Sequence, residues 1–215
     1  MNAQFTSTQI IAKEGWRNIA IALVLLLLAY WSDTGYYIMF IVVLLLMFVY
    51  RNPERIAMED DPLAIISPID GKIVAIERIT SELQKQDFLY VKIRSLPFDV
   101  GMVRFPIGST LNSAKTIHGL FLPPYKKIAS ALNERIDFKC SHNNTPFFMR
   151  VQAGMFSKKI YLGYGRGELK SGSRIAFMVD GSVELLLPLD SRVKVSIGAH
   201  VKGGESVIGY FAYKG

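Results

Sequence analysis

Ser182 follows Gly181 within Ile175-Ala176-Phe177-Met178-Val179-Asp180-Gly181-Ser182-Val183-Glu184-Leu185-Leu186-Leu187-Pro188, where two apolar segments meet at a Gly-Ser step. Such a step can do chemistry on itself. The hydroxyl can attack the preceding carbonyl, and glycine leaves that carbon unshielded, so a strained peptide can pass to an ester. Taken alone, a Gly-Ser pair is most often a turn. His118, in Thr116-Ile117-His118-Gly119-Leu120-Phe121, is the residue type that moves protons near neutral pH, although a histidine before glycine commonly just serves a turn. Arg104 and Arg135 carry planar forks that match a carboxylate or a phosphate, and each could equally be half of an ion pair. His142 and His200 read as surface residues. No spacing of His, Cys, Asp and Glu makes a metal site, so no metal is expected.

The elements that must position these side chains are short and mostly extended. Lys72–Ile76, Leu89–Ile93, Phe147–Val151, Lys159–Leu162, Arg174–Met178, Val183–Leu187, Val193–Ile197 and Ser206–Tyr210 alternate apolar and polar residues between Gly, Pro, Asn and Asp. That pattern predicts strands. Only Tyr125–Asn133, opened by Pro123-Pro124, reads as a helix. Strands do not alternate with helices, which argues against a doubly wound parallel sheet and for a mainly β, barrel-like or sandwich-like domain. Asp70-Gly71 reads on bare sequence as a hairpin turn. Met155, Phe156 and Phe147-Phe148 read as core, and the lone Cys140 as packing, since it has no intramolecular disulfide partner.

Half of the 215 residues are hydrophobic and the formal net charge is +7. The mean hydropathy of +0.25 is high for a soluble protein. The excess is concentrated in two runs, Ile19–Trp31 and Tyr36–Tyr50, either side of Ser32-Asp33-Thr34-Gly35. Each is shorter than the roughly 20 residues that cross a full hydrocarbon core, so the pair either spans as short helices or dips in from one face. A secretory signal fits poorly, because a second apolar run follows at once and no small-residue cleavage site intervenes. Lys13 and Arg17 precede the runs and Arg51 and Arg55 follow them, which places both ends on the cytoplasmic side. Tyr30, Trp31, Tyr36 and Tyr37 crowd the turn, as interface-seeking rings do. The organisation expected is a cytoplasmic segment over 1–18, a membrane helical hairpin over 19–50 and a β domain over 51–215. With such a hairpin, an anionic bilayer accounts for the basic charge, and nothing in the sequence points to nucleic acid.

The β domain opens with Ser67-Pro68-Ile69-Asp70-Gly71-Lys72-Ile73 and closes with the Gly-punctuated segment Val195–Val207. These ends resemble the hammerhead of biotinyl and lipoyl carriers and related barrel-sandwich hybrids. A carrier presents a lysine in a hairpin between its halves, and none sits in such a place here. A second resemblance rests on an ordered set of stretches: Arg51-Asn52-Pro53-Glu54-Arg55 after the apolar hairpin; Ser67-Pro68-Ile69-Asp70-Gly71; Leu96-Pro97-Phe98-Asp99-Val100-Gly101-Met102-Val103-Arg104-Phe105-Pro106; Asn133-Glu134-Arg135; and Gly181-Ser182 before a Leu-rich strand and Pro188. From about Ile19 to the C-terminus the chain is similar to the short-form, pyruvoyl-dependent phosphatidylserine decarboxylases of bacteria and their archaeal relatives.

That resemblance implies a proenzyme cut between Gly181 and Ser182 into a β chain, 1–181, and an α chain, 182–215, that stay together. Ser182 becomes a covalent pyruvoyl group whose ketone draws electrons from the breaking Cα–carboxylate bond, the role pyridoxal phosphate fills elsewhere. Pyridoxal phosphate is not needed. The substrate would be phosphatidylserine or a related serine-headgroup lipid, and the products the ethanolamine lipid and CO2. Asp70 would assist the cleavage, and Arg104 and Arg135 would hold the substrate's anionic groups. The sequence departs from the family at Gly101, where Asp-Val is usually followed by a histidine that serves decarboxylation. His118 is the substitute by location and type. A competing reading is a membrane-tethered, non-catalytic barrel-sandwich adaptor, or a family member that has lost activity. The sequence leaves the oligomeric state open, a homo-oligomer included.

Overall fold

Uninterrupted Leu, Ile, Val and aromatic residues on either side of a four-residue polar turn wind into two helices, α1 (Trp16–Trp31) and α2 (Tyr36–Val49). At 1.5 Å per residue they are about 24 and 21 Å long. With the single 3-10 turn before it, Lys13–Trp31 is long and apolar enough to cross a membrane. The helices pack on each other. At their base the approach is close: a Cβ on Gly15 would lie 2.3 Å from the Tyr50 ring, and Asn18 Nδ2 donates to Tyr50 Oη at 2.7 Å. Ala12 N–H donates to the Tyr50 carbonyl at 2.8 Å and Asn52 N–H to that of Ile10 at 2.7 Å, closing the hairpin. Leu23, Leu27, Leu28, Phe40, Ile41 and Leu44 remain exposed on it. A helix apolar all round has nothing to gain from water.

The computed structural model describes residues 9–59, 61–81, 86–123, 128–163 and 167–212. It divides into two compact units, Ser7–Glu54 and a β unit, Arg55–Gly215.

The β unit is mainly strand, as its alternating pattern requires. In chain order the strands are β1 (Ala64–Ile66), β2 (Gly71–Ser81), β3 (Gln86–Ser95), β4 (Met102–Arg104), β5 (Ser109–Ile117), β6 (Arg135–His142), β7 (Thr145–Ala153), β8 (Tyr161–Leu162), β9 (Gly167–Leu169), β10 (Arg174–Phe177), β11 (Gly181–Pro188), β12 (Arg192–Val193), β13 (His200–Val201) and β14 (Val207–Tyr210). Among the described residues they form one large sheet, in the order β13-β2-β3-β11-β7-β6-β5-β9, and two small ones, β1-β14-β12 and β4-β10-β8. The β3-β11, β11-β7 and β7-β6 pairs are antiparallel and in continuous register, and β2 joins β3 antiparallel with one irregularity between Ile73 and Ala75. One row across the large sheet reads Ile73, Ile93, Val183, Val151, Ile136, and all five are fully buried. Residues directly opposite share a face, so this row fixes which face is core.

Several local expectations change. Of the helix expected over Tyr125–Asn133, the described residues hold only α3 (Ala129–Leu132), and residues 125–127 lie outside them. Asn133 leaves the helix in an extended conformation because both ends of its side chain are engaged by backbone elsewhere. The strands expected at Lys159–Leu162 and Val193–Ile197 shrink to β8 and β12. His142 is buried, its Nδ1 donating to the Gly108 carbonyl at 2.7 Å and its ring packing on Phe211. Met155 and Phe156 are exposed, at 49% and 59%, because β7 ends at Ala153 and the chain turns outward. Cys140 is buried, and that burial pushes its thiol up to about 12.

Candidate active site

Strand β11 begins at Gly181, and the register of its two neighbours decides what surrounds the Gly-Ser step. Gly181 lies opposite Ser95 of β3 on one side and Ala153 of β7 on the other. Its φ is 148°, a conformation that side chains rarely adopt, and a Cβ there would meet the Gln152 carbonyl oxygen at 2.1 Å. Only glycine fits. Ser182 lies between Arg94 and Gln152 and is 2% exposed. Because neighbouring residues on a strand point to opposite faces, Ser182 is turned away from the core row that holds Val183. Above it, the Gln152 amide donates to the Ala129 carbonyl at 2.7 Å and Arg135 Nη1 to that of Ala131 at 2.8 Å, which ties α3 to the same face.

The carbonyl side of the step is held as firmly. The Asp180 C=O accepts from Gly154 N–H at 3.0 Å and from Ser157 Oγ at 2.7 Å, and Asp180 N–H donates back to Ser157 Oγ at 2.9 Å. The Asp180 carboxylate accepts from Phe156 N–H at 2.9 Å and sits against the bare Cα of Gly154. It is 4% exposed, and burial holds its pKa above the ordinary carboxylate range despite these bonds. On the other side of Gly181, Ser95 is equally buried and its Oγ has no hydrogen-bond partner among the described residues. In an antiparallel ladder successive carbonyls alternate between neighbours. Asp180 faces β7, so the Gly181 carbonyl faces β3 and Ser95. An orphaned hydroxyl beside a carbonyl is what a developing oxyanion would engage.

The other expected residues lie around this centre. Asp70 precedes β2, and β3 separates β2 from Ser182, so Lys72 and Ser182 stand about 10 Å apart, two strand spacings. Asp70 is bound by both terminal nitrogens of Arg55, with Nη2 to Oδ2 at 2.8 Å, and by Gly203 N–H at 2.7 Å. His118 is exposed, its side chain at 80%, and its Nδ1 meets Glu134 Oε2 at 3.2 Å. Glu134 is buried, accepts Ile160 N–H at 2.9 Å through Oε1, and its main-chain carbonyl accepts from Ala153, the residue opposite Gly181. Arg135 flanks Gln152 on the Ser182 face. Arg104 is buried on β4, in a different sheet, against Gly172 and Gly204.

Gly101, where the resemblance led us to expect a histidine, is closed. A Cβ there would lie 1.8 Å from the Met178 carbonyl oxygen, and Met178 N–H donates to the Gly101 carbonyl at 3.0 Å. No side chain fits this backbone. The sequence reading missed Ser95, Asp180, Arg94 and Arg55. Glu134 and Arg55 stood within the quoted stretches Asn133-Glu134-Arg135 and Arg51–Arg55; Ser95 and Arg94 could be found only through the register of β3 against β11.

A profile of the phosphatidylserine decarboxylase family matches residues 44–209, the hairpin's second helix through nearly all of the β unit. The chain belongs to the phosphatidylserine decarboxylase family. It is 33% identical over 206 residues to the phosphatidylserine decarboxylase proenzyme of Burkholderia cenocepacia, covering 93% of this chain and 95% of that one. The proenzymes of Burkholderia vietnamiensis and Burkholderia multivorans match with the same identity and coverage.

Proposed function

We propose that the chain cuts itself between Gly181 and Ser182, carries a pyruvoyl group on Ser182, and converts phosphatidylserine or a related serine-headgroup lipid to the ethanolamine lipid and CO2. The observation that carries this reading is the Gly-Ser step itself. Its N-terminal side is held by the bonds at Asp180, its glycine carries no side chain to shield the carbonyl carbon, and it pairs across the ladder with Ser95, whose hydroxyl has no hydrogen-bond partner among the described residues.

The Ser182 Oγ attacks the Gly181 carbonyl carbon, and the oxygen is pushed toward the opposite face, where the Ser95 hydroxyl can donate to it. The Gly181–Ser182 C–N bond breaks, the Ser182 amine takes a proton, and an ester joins the two segments. Loss of the Ser182 Cα proton expels the Gly181 carboxylate from Cβ, and addition of water releases ammonia to leave the α-keto end. The residues present fit such a group: a serine at the start of a strand, a glycine before it, and polar neighbours Arg94 and Gln152 on its face. When formed, the group supplies the electron sink for decarboxylation. The four main-chain and hydroxyl bonds at Asp180 would hold the new β-chain terminus in place after the cut.

The hairpin is proposed to sit in the cell membrane with the β unit on the cytoplasmic side, where a lipid headgroup is within reach. One observation favours a second reading, a tethered scaffold without turnover: the closed Gly101 excludes the family's histidine and leaves proton transfer to His118 with its Glu134 partner. Asp70, locked to Arg55, is proposed to aid cleavage by fixing the β2–β3 frame beside the step.

The deciding measurement is the intact mass of the full chain purified from its own host. Two chains split at this bond, with an α-keto mass on the shorter one and an uncut chain in Ser182→Ala, are expected. An unbroken native backbone with an ordinary serine would end the proposal.

A further inference from the structure

The registers of six strands draw a line across the large sheet at the level of Ser182. His200 of β13 pairs with Lys72 of β2, Lys72 with Arg94 of β3, Arg94 with Ser182, Ser182 with Gln152 of β7, and Gln152 with Arg135 of β6. Directly opposed residues share a face, so all six project to the side opposite the buried Ile73–Ile136 row. The next row on that face is also charged, but it closes on itself. Lys92 Nζ binds Glu184 at 2.9 Å and Arg150 Nε binds Asp137 at 2.6 Å. The Ser182 row has no such closure on its β2–β3 side. Among the described residues no carboxylate pairs with Lys72 or Arg94, and Arg94 Nε is buried without a hydrogen-bond partner. Cations that are brought together by register, one of them partly desolvated and unpaired, cost free energy unless an anion joins them.

We propose that Arg94 and Lys72 form an anion-binding subsite for the phosphodiester of the lipid headgroup, running from Ser182 toward the β13 edge. The proposal rests on the reading of Ser182 as the point where the substrate amine is held. The spacing suits that chemistry. In a serine headgroup the amine and the phosphorus are four bonds apart, about 5 Å when extended. One strand spacing, also about 5 Å, separates Ser182 from Arg94, and Lys72 lies one spacing further out. Amine at Ser182 therefore puts the phosphodiester over Arg94, whose fork can donate to two of its oxygens, with the exposed Lys72 as the outer contact. Arg135, on the other side of Ser182, also has a buried Nε without a hydrogen bond, but its Nη1 donates to the Ala131 carbonyl and Asp137 stands 3.9 Å from that Nε, so the positive charge without a carboxylate nearby is on the β2–β3 side.

The test is equilibrium binding by titration calorimetry on the full chain in detergent, with glycerophosphoserine, inorganic phosphate and free serine as separate ligands. Glycerophosphoserine is expected to bind, inorganic phosphate more weakly, and serine weakest. Arg94→Gln is expected to weaken glycerophosphoserine binding about tenfold or more, a typical loss for a charge-assisted bond. Arg94→Lys should recover only part of it, and Lys72→Gln, at an exposed position that does not threaten folding, should cost less than Arg94→Gln. Serine binding as tightly as glycerophosphoserine, or both glutamine variants binding like the parent chain, would overturn the subsite. So would a parent chain that binds neither phosphate compound. Arg94-dependent binding by an uncut chain would sink the decarboxylase reading and leave the subsite standing. A cut chain whose binding ignores Arg94 would do the reverse.

Discussion

Placing the histidine that the resemblance implied at position 101 should damage this protein rather than improve it. A Cβ on residue 101 would lie 1.8 Å from the Met178 carbonyl oxygen, whereas ordinary contact begins near 3.4 Å, so the β10 end must retreat by about 1.6 Å. That oxygen belongs to backbone and cannot rotate away. Retreat breaks the 3.0 Å bond from Met178 N–H to the Gly101 carbonyl and strains the pairing of Phe177 with Met102. The lost bond costs about 1 kcal/mol and the overpacking about 1–3 kcal/mol. A total of about 2–4 kcal/mol corresponds to a fall in Tm of about 5–15 °C for a chain of this length. The displaced segment leads within two residues to Asp180, so cleavage should slow as well. Thermal melting of Gly101→His, followed by circular dichroism, and the half-time of chain cleavage, followed by intact mass, measure both effects. Gly101→Ala should show most of the damage, because the clash is with Cβ. A histidine variant that melts within about 2 °C of the parent and decarboxylates lipid faster would refute the reasoning.

Other outcomes follow from the same geometry. Ser95→Ala should slow self-cleavage about 100- to 1,000-fold, as loss of one oxyanion donor does, with little change in melting temperature because the hydroxyl it removes has no partner among the described residues; an unaltered cleavage rate would remove Ser95 from the mechanism. Asp70→Ala strands the partly buried Arg55 and the Gly203 amide and should destabilise the β unit by about 3–5 kcal/mol in denaturant unfolding, whereas an exposed pair would cost under 1 kcal/mol. The Asp180 pKa is raised in the folded chain, so the folded state keeps its proton to higher pH than the unfolded one, and stability conferred below the unfolded value near 3.8 is lost as pH rises through the folded value. Asp180→Asn should therefore flatten stability across that window, and parallel pH–melting curves for the two chains would contradict the assignment. Cys140, buried with its thiol pushed up to about 12, should react with a disulfide reagent only at the rate of unfolding.

Much of the architecture was legible because it depends on local pattern. Continuous apolar runs around a polar turn make a helical hairpin wherever they are placed, the alternation in Lys72–Ile76 and Leu89–Ile93 makes strands with one buried face, and the Leu-rich run Val183–Leu187 makes a strand buried on both. Most strands that escaped notice have a weak pattern, although β6, Arg135–His142, alternates buried and less buried residues and was still not expected. In β5, Ser109–Ile117, only Leu111 is buried, and β4 and β13 are two or three residues long. Met155 and Phe156 were misplaced in the core because apolar character alone does not say on which side of a strand end a residue falls.

By itself the sequence determined the family and singled out the candidate step: ordered short stretches that persist without any knowledge of contacts, and a serine after a glycine at the start of a Leu-rich strand. It could not decide what faces that serine. Lys72, Arg94, Gln152 and Arg135 are spread over more than sixty residues of chain, and they meet Ser182 only because four hydrogen-bonded ladders adopt one register. A slip of one residue in any of them would turn its side chain to the other face. The same holds for Gly101, whose want of a side chain becomes a necessity only once the Met178 carbonyl is packed against it. Register and close backbone approach are settled by burial across the whole sheet, which is why the tertiary structure decided them.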